Sequence, residues 1–304
     1  MIPDRRNARL AARLAAVLAV VAAVVAGACA SAPTDTDADI RVRLMAFNIR
    51  TASAEDGADA WPQRAALVVA TIRDADPDVI GLQEAEPEQV AYLAANLTDY
   101  AYLGRSREAD PGAGEAVPLF YKAAHWQPDA AESGTFWLSD TPDVPASRTW
   151  GNSFPRIATW ARLVHRDSGT AIYVYNLHLD HESEPARRQS AELVAGHAGG
   201  RQHADPVVVL GDFNALPDSA VVQTLTAAPL ELRDSLLAAG GDGAAGTFHA
   251  FKGIAGERRI DYILVSPELR VLDADILRDH ESGPFGDRYP SDHFPVTATV
   301  ALGP

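Results

Sequence analysis

The hydrophobic positions of this chain fall in short runs, and run after run stops at an acid, an amide or a histidine. The clearest case is Val207-Val208-Val209-Leu210, followed at once by Gly211-Asp212-Phe213-Asn214. An unbroken apolar run of this length, rich in β-branched residues, predicts a buried strand. Gly211 lets the backbone turn. Asp212 and Asn214, two residues apart, then reach one point beyond the strand end. The same grammar recurs. Arg41 to Phe47 reads as a strand ending in Asn48, and Val79 to Leu82 as a short strand ending in Gln83-Glu84. Ile157 to Val164 and Ala171 to Leu179 form a hairpin turning near Asp167-Ser168-Gly169, with His178 on its second strand. Arg259 to Val265 is a strand with Asp261 inside it, and Val296 to Leu302 is a final strand preceded by Asp292-His293. Residues 99–121 also read as strands, the last being Val117 to Tyr121, where Pro118 predicts an edge or a bulge.

Helical spacing lies between these runs. Pro62 opens a helix with Ala66, Val69, Ala70 and Ile72 on one face. Residues 87–97, 184–200 (with Arg187 and Arg188) and 218–228 read as helices too. Residues 139–155 are rich in Pro and Ser without periodicity, a long loop of the kind that carries function. A glycine-rich loop covers 240–246. No internal repeat and no second linker is visible. The pattern predicts a single α+β domain over residues 40–304, with sheets packed together and helices outside.

Before residue 40 the pattern is different. Arg5, Arg6, Arg9 and Arg13 precede an Ala/Val/Leu run from Leu14 to Ala28. A basic segment followed by an apolar one is the layout of a secretory signal, here residues 1–28. A spanning helix fits less well, because small residues and a Thr/Asp/Pro stretch follow directly. Ala26-Gly27-Ala28-Cys29 resembles a bacterial lipoprotein cleavage site with Cys29 as the acylated residue, although Ala26 stands where Leu is usual. Ala30-Ser31-Ala32 offers a competing ordinary site. Residues 29–39 read as a flexible tether. The protein is expected to be exported, either lipid-anchored through Cys29 or secreted, and monomeric.

Composition narrows the chemistry. The chain has 304 residues, 47% of them hydrophobic, and a formal charge of -15. The first 28 residues carry +3, which leaves -18 on the remainder. That field disfavours nucleic-acid coating but not a local cationic site. Cys29 is the sole cysteine, so an intramolecular disulfide and a thiolate-rich zinc site are excluded.

Taken singly, each polar strand end is as well explained by a cap, a turn or a paired surface group. Six together, if the last strand runs antiparallel, describe a site at one rim of a sheet sandwich. The inventory fits phosphoester hydrolysis. Glu84, Asp292 and Asn48 supply oxygen ligands for a hard cation, Mg²⁺ or Mn²⁺, which neutralises phosphate and stabilises the leaving oxygen. Asp212 takes a proton from the attacking water, and Asn214 fixes that water or a phosphate oxygen. His178 and His293 donate to phosphoryl oxygens. Asp261 accepts from one imidazole and favours its protonated form.

Six motifs also resemble the endonuclease/exonuclease/phosphatase superfamily. They are Phe47-Asn48-Ile49-Arg50, Gly81-Leu82-Gln83-Glu84, Asn176-Leu177-His178-Leu179-Asp180, Gly211-Asp212-Phe213-Asn214, Arg259-Ile260-Asp261-Tyr262-Ile263 and Ser291-Asp292-His293-Phe294-Pro295. The resemblance implies a four-layer αββα sandwich of two mainly antiparallel sheets flanked by helices. It also implies dependence on Mg²⁺ or Mn²⁺, an Asp261 that orients His293, and a His178 that contacts phosphate. By the same resemblance Tyr121 is a phosphate-contacting tyrosine. The stretch from Gly134 through Trp150 to Pro155-Arg156-Ile157-Ala158-Thr159-Trp160 is similar to a bacterial subgroup of the superfamily, and Arg156 reaches the site from the hairpin. Glu115 and Arg148 are weaker candidates. Three readings of function stay open: an exported phosphohydrolase acting on a small or lipid-linked phosphoester, an extracellular nuclease, and a binding protein without catalysis. The absence of a basic stripe with interleaved aromatics disfavours a duplex-binding role.

Overall fold

The computed structural model describes residues 39–283 and 286–303. Cys29, the signal segment and residues 29–38 of the tether lie outside the described residues. In chain order the elements begin with β1 (Ile40–Asn48), α1 (Trp61–Ala75), β2 (Val79–Gln83) and α2 (Pro87–Asn96). β3 (Tyr100–Leu103), β4 (Leu119–Lys122), β5 (Trp126–Trp137), β6 (Ile157–His165) and β7 (Ala171–His178) follow. Next come α3 (Glu184–Gly199), β8 (Val207–Asp212), α4 (Ala220–Thr226), β9 (Arg233–Asp234) and α5 (Ser235–Ala238). The last strands are β10 (Asp261–Val265), β11 (Arg270–Ile276), β12 (Glu281–Gly283), β13 (Gly286–Arg288) and β14 (Val296–Leu302).

Local chemistry sets the helix ends. Pro62 sits in the first turn of α1, and Asp76 closes that helix in the left-handed region at φ 46°. At α2, Gln89 Oε1 accepts from Glu86 N at 3.0 Å as half of a capping box. Ser183 Oγ accepts from Ala186 N at the start of α3.

Twelve strands form two six-stranded sheets, ordered β11-β14-β1-β2-β4-β3 and β5-β6-β7-β8-β10-β9, and β12 pairs with β13 in a separate two-stranded ribbon. Each holds one parallel pair, β1/β2 or β7/β8, made by a helical crossover, and every other pairing in the two sheets is antiparallel. Along β1, Val42, Leu44 and Ala46 enter the core between the sheets, whereas Met45 and Phe47 pack beneath α1 and α2. Along β8, Val208 and Leu210 enter the same inner core, and Val207 and Val209 pack beneath α3 and α4. Both faces are therefore buried, which is why these strands read as unbroken apolar runs. The result is the four-layer αββα sandwich. The sheets come close at Gly81, where a Cβ would lie 2.1 Å from Leu210 Cδ1. Beside it, Gln83 Nε2 donates to Asn176 Oδ1 at 2.7 Å and ties one sheet to the other.

This topology places the rim. Parallel strands end on the same edge, so β1 and β2 deliver Asn48 and Glu84 together, and β7 and β8 deliver His178 and Asp212. β14 runs antiparallel to β1, with Ala46 opposite Val296, and brings Asp292-His293 to that edge. β10 runs antiparallel to β8, with Asp261 directly opposite Asp212. Asp261 therefore starts its strand rather than lying inside it.

Two sequence expectations need correction. Pro118 marks neither an edge nor a bulge: it precedes β4, an interior strand, and its carbonyl accepts from Leu82 N and Asn176 Nδ2. Strands β5 and β11 escape the sequence pattern altogether. Both are edge strands with a register shift, so their exposure does not alternate cleanly.

Candidate active site

The rim opens into a cavity of about 480 Å³. Glu84, Arg156, His178, Asp212, Asn214, Asp292 and His293 line it, and Asn48 and Asp261 lie buried behind them. Asp212 is at the centre. Its Oδ1 accepts from Asn214 N at 2.9 Å, and its Oδ2 accepts from Asn48 Nδ2 at 3.0 Å. The same Oδ2 lies 3.7 Å from His178 Nε2 and 3.9 Å from His293 Nε2. Burial and the charge of Asp261 push the Asp212 carboxyl up to about 7, against the pull of His293. A carboxylate tuned to that range suits a general base near neutral pH.

The two imidazoles differ in charge. Burial alone lowers His293, but Asp261, 2.9 Å from its Nδ1, outweighs that together with Asp292 and Asp212, and pushes the ring up to about 10. Burial, Arg156 and Arg107 hold His178 well below its ordinary value. At pH 7 the site thus offers one charged and one neutral imidazole.

On the other flank, Glu84 Oε1 accepts from Asn48 Nδ2 at 2.9 Å and Oε2 from Thr51 N at 3.0 Å. Burial raises the Glu84 carboxyl, but the Asn48 amide, His293, Thr51 N–H and Arg50 outweigh it and hold it low. Burial raises the Asp292 carboxyl; His293 opposes this and the charge of Glu84 adds to it. Two carboxylates brought within each other's field, with an amide beside them, make an all-oxygen donor set that fits a hard divalent cation. Asn48 turns its amino group toward Glu84 and Asp212, and its Oδ1 accepts from Arg50 N at 3.0 Å. Ligation through that oxygen requires the amide to turn over. Asp212, Asp261 and His293 also offer atoms within 4.8 Å of one another. In that trio His293 Nδ1 is already engaged by Asp261 Oδ2 at 2.9 Å, and its Nε2 lies 3.9 Å from Asp212 Oδ2.

Glu84 and Asn214 both adopt left-handed backbone, at φ 59° and φ 47°. Such strain concentrates where a side chain must be aimed.

The structure adds residues that the sequence did not single out. Arg107 pairs with Glu115 through two bonds of 2.6 and 3.1 Å. Burial and Glu84 push the Glu115 carboxyl up to about 7, against Arg107 and Arg156, and its Oε2 lies 4.0 Å from His178 Nδ1. Arg156 donates Nε to Asp180 at 3.3 Å and its Nη2 lies 2.8 Å from His181 Nδ1, whereas its buried Nη1 has no hydrogen-bond partner among the described residues. Phe154, on the long loop, is 45% exposed at the cavity wall, with the Arg107 guanidinium 5.0 Å from its ring. Phe248 and Arg258 also line the cavity, with the Arg258 guanidinium 4.3 Å from the Phe248 ring. Arg156, expected from the hairpin, does line the cavity; for the others the only sequence signals were the irregular 139–155 loop and the weak mark on Glu115. Arg148 donates to Ser153 O and does not line the cavity.

Tyr121 is not brought to the site. It pairs with Val79, the first residue of β2, and packs in the core between the sheets. β4 runs antiparallel to β2, so a residue near the end of β4 lies away from the rim where β2 delivers Glu84.

The model of the Endonuclease/Exonuclease/phosphatase family matches residues 45–293, a span that runs from before Asn48 through His293 and so contains every acid, amide and imidazole at this rim. The chain belongs to that family. The mannosyl-6-phosphatase of Bacteroides thetaiotaomicron VPI-5482 is 32% identical, with a TM-score of 0.79 over 86% of this chain and 100% of that one. A family protein from Bacteroides vulgatus is 34% identical, with a TM-score of 0.79 over 86% of this chain and 99% of that one. An uncharacterized protein of Acanthamoeba polyphaga mimivirus is 28% identical over 176 residues, 54% of this chain. The match spans 63% of the viral protein's length. The fold is that of an endonuclease/exonuclease/phosphatase family hydrolase.

Proposed function

We propose that this protein is an exported, divalent-metal-dependent phosphohydrolase that hydrolyses a small phosphomonoester. The observation that carries the reading is the position of Asp212 Oδ2, within 4 Å of both a neutral and a charged imidazole at the floor of one cavity. Asp212 accepts a proton from water as the water oxygen attacks phosphorus, and the bond to the leaving oxygen breaks. Asn214 holds the nucleophile's side of the site. His293 donates Nε2–H to a phosphoryl oxygen, while Asp261 holds the opposite nitrogen and the ring's charge. Neutral His178 donates a second hydrogen bond. Glu84, Asp292 and Asn48 would hold Mg²⁺ or Mn²⁺, which would supply charge neutralisation for the phosphate and the leaving oxygen.

Cavity chemistry supports a small substrate. Arg50, Arg107, Arg156 and Arg258 gather in one cavity of a strongly acidic chain. The unpartnered Nη1 of Arg156 suits an anionic oxygen. Phe154 offers an apolar ring face to the rest of the molecule, as a sugar or similar group requires. Likeness to a mannosyl-6-phosphatase over nearly the whole domain points the same way. The pattern ahead of residue 40 supports export, with acylation at Cys29. Cys29→Ala is expected to release the protein from the membrane fraction, and equal soluble secretion of both forms argues for ordinary cleavage.

A screen of p-nitrophenyl phosphate, bis-p-nitrophenyl phosphate, hexose 6-phosphates and DNA, with Mg²⁺ and with EDTA, tests the reading. Metal-dependent monoester turnover with little salt dependence is expected. Preferential cleavage of DNA, with binding that collapses as salt rises, overturns it.

A further inference from the structure

The three proposed metal ligands arrive on separate segments, and hard cations are sensitive to the spacing of their ligands. Arg64, on the first turns of α1, is 1% exposed and directs its hydrogen bonds to backbone carbonyls. Nε donates to Asp59 O at 2.9 Å, Nη1 to Ile49 O and to Pro290 O at 3.1 Å, and Nη2 to Arg50 O at 2.7 Å. The rings of Trp61 and Phe251 flank the guanidinium at 5.3 and 5.8 Å. Burying a guanidinium away from water is costly, and an apolar residue would attach α1 to its sheet more simply. What the planar fork adds is a fixed distance between carbonyls on different segments. Two of those carbonyls directly follow Asn48, and one lies two residues before Asp292. A second tie runs beside it: Ser291 Oγ donates to Asn48 O at 2.7 Å.

We propose that Arg64 is a positioning residue. It clamps the Asn48–Arg50 segment to the Pro290–Asp292 segment and so sets the spacing of the oxygen donors that receive the divalent cation. This rests on the reading of Asn48, Glu84 and Asp292 as the metal ligands. Arg64→Lys keeps the charge and loses the fork.

Mn²⁺ binding, measured by calorimetry on the protein without substrate, tests the clamp independently of turnover. Arg64→Lys is expected to weaken Mn²⁺ binding by about 10- to 100-fold, the scale seen when outer partners of metal ligands are removed. Activity at saturating metal should fall less than activity at limiting metal. Val68→Ala, a fully buried change in the same helix, should lower the melting temperature yet leave Mn²⁺ affinity unchanged. Ser291→Ala removes the second tie and should weaken Mn²⁺ binding in the same direction, which keeps the test open if Arg64→Lys does not fold. Wild-type Mn²⁺ affinity in either tie variant overturns the clamp while leaving the metal site intact. A wild-type protein that binds no Mn²⁺ overturns the metal reading itself.

Discussion

His293 Nδ1 lies 2.9 Å from Asp261 Oδ2, and Asp261 in turn stands directly opposite Asp212 across the β8/β10 ladder. One carboxylate therefore acts on two groups of the proposed catalytic site. It charges the imidazole, and it raises the proton affinity of the base.

The first expectation is non-additivity. His293→Ala removes a phosphoryl donor, and Asp261→Asn removes the group that orients and charges it. Each should lower kcat/KM. The double variant should lose less than the product of the two single losses, because the share of the Asp261→Asn loss that acts through His293 is already gone and only the share that acts through Asp212 remains. Losses that multiply in the double variant would show the two residues acting independently.

Asp212→Asn should lower kcat by roughly 10²–10⁴, the scale of a general base, without unfolding the protein. Val208, Val209 and Leu210 are fully buried ahead of it, and each such side chain contributes about 1.5–3 kcal/mol. The core therefore fixes where Asp212 sits. Near-wild-type kcat in this variant would remove the base from the mechanism.

Protonation should show in stability. Asp212, raised to about 7, keeps a proton that the unfolded chain has released, so that stabilisation is lost as pH rises through 7. His293, raised to about 10, stabilises fully below its unfolded value of 6.5, and that contribution is lost as pH rises through 10. His178, held low by burial, loses its contribution only as pH falls below 6.5. Metal-free protein should therefore melt at falling temperatures from pH 7 to pH 10, and Asp261→Asn should flatten the fall. Melting curves in EDTA across that range check it, and a profile unchanged by Asp261→Asn would contradict the assigned charge of His293.

EDTA should abolish turnover, and Mg²⁺ or Mn²⁺ should restore it. Glu84→Gln and Asp292→Asn should each demand more metal for half-maximal activity, because each removes an anionic ligand. Full activity after exhaustive chelation would exclude the metal-dependent mechanism.

Arg156→Lys should raise KM and lower kcat/KM by about 10- to 100-fold, the cost of about 1.5–3 kcal/mol for a lost hydrogen bond to a charged group. Tyr121→Phe should change neither, because the ring packs in the inner core. A large activity loss in the tyrosine variant would mean that it reaches substrate by a route the fold does not show.

Sequence alone determined the sandwich and most of the rim. The reason is local: a strand buried on both faces must be continuously apolar, so the first carboxylate, amide or imidazole after such a run marks where the core ends. Asn48, Glu84, His178 and Asp212 were all legible in that way. Strand direction, register and ionisation were not, because they depend on what lies opposite. Tyr121 ends an apolar run like the others, yet antiparallel pairing puts it at the far end of the sheet. The charge on His293 follows from Asp261, and the neutrality of His178 from its burial and from two arginines that no local pattern brings near it. The edge strands β5 and β11 gave no periodic signal, because a register shift in each interrupts the alternation of buried and exposed positions. Arg64 gave none either. In sequence it is one charged residue on an amphipathic helix, and only the folded chain surrounds it with carbonyls from the two segments that carry Asn48 and Asp292.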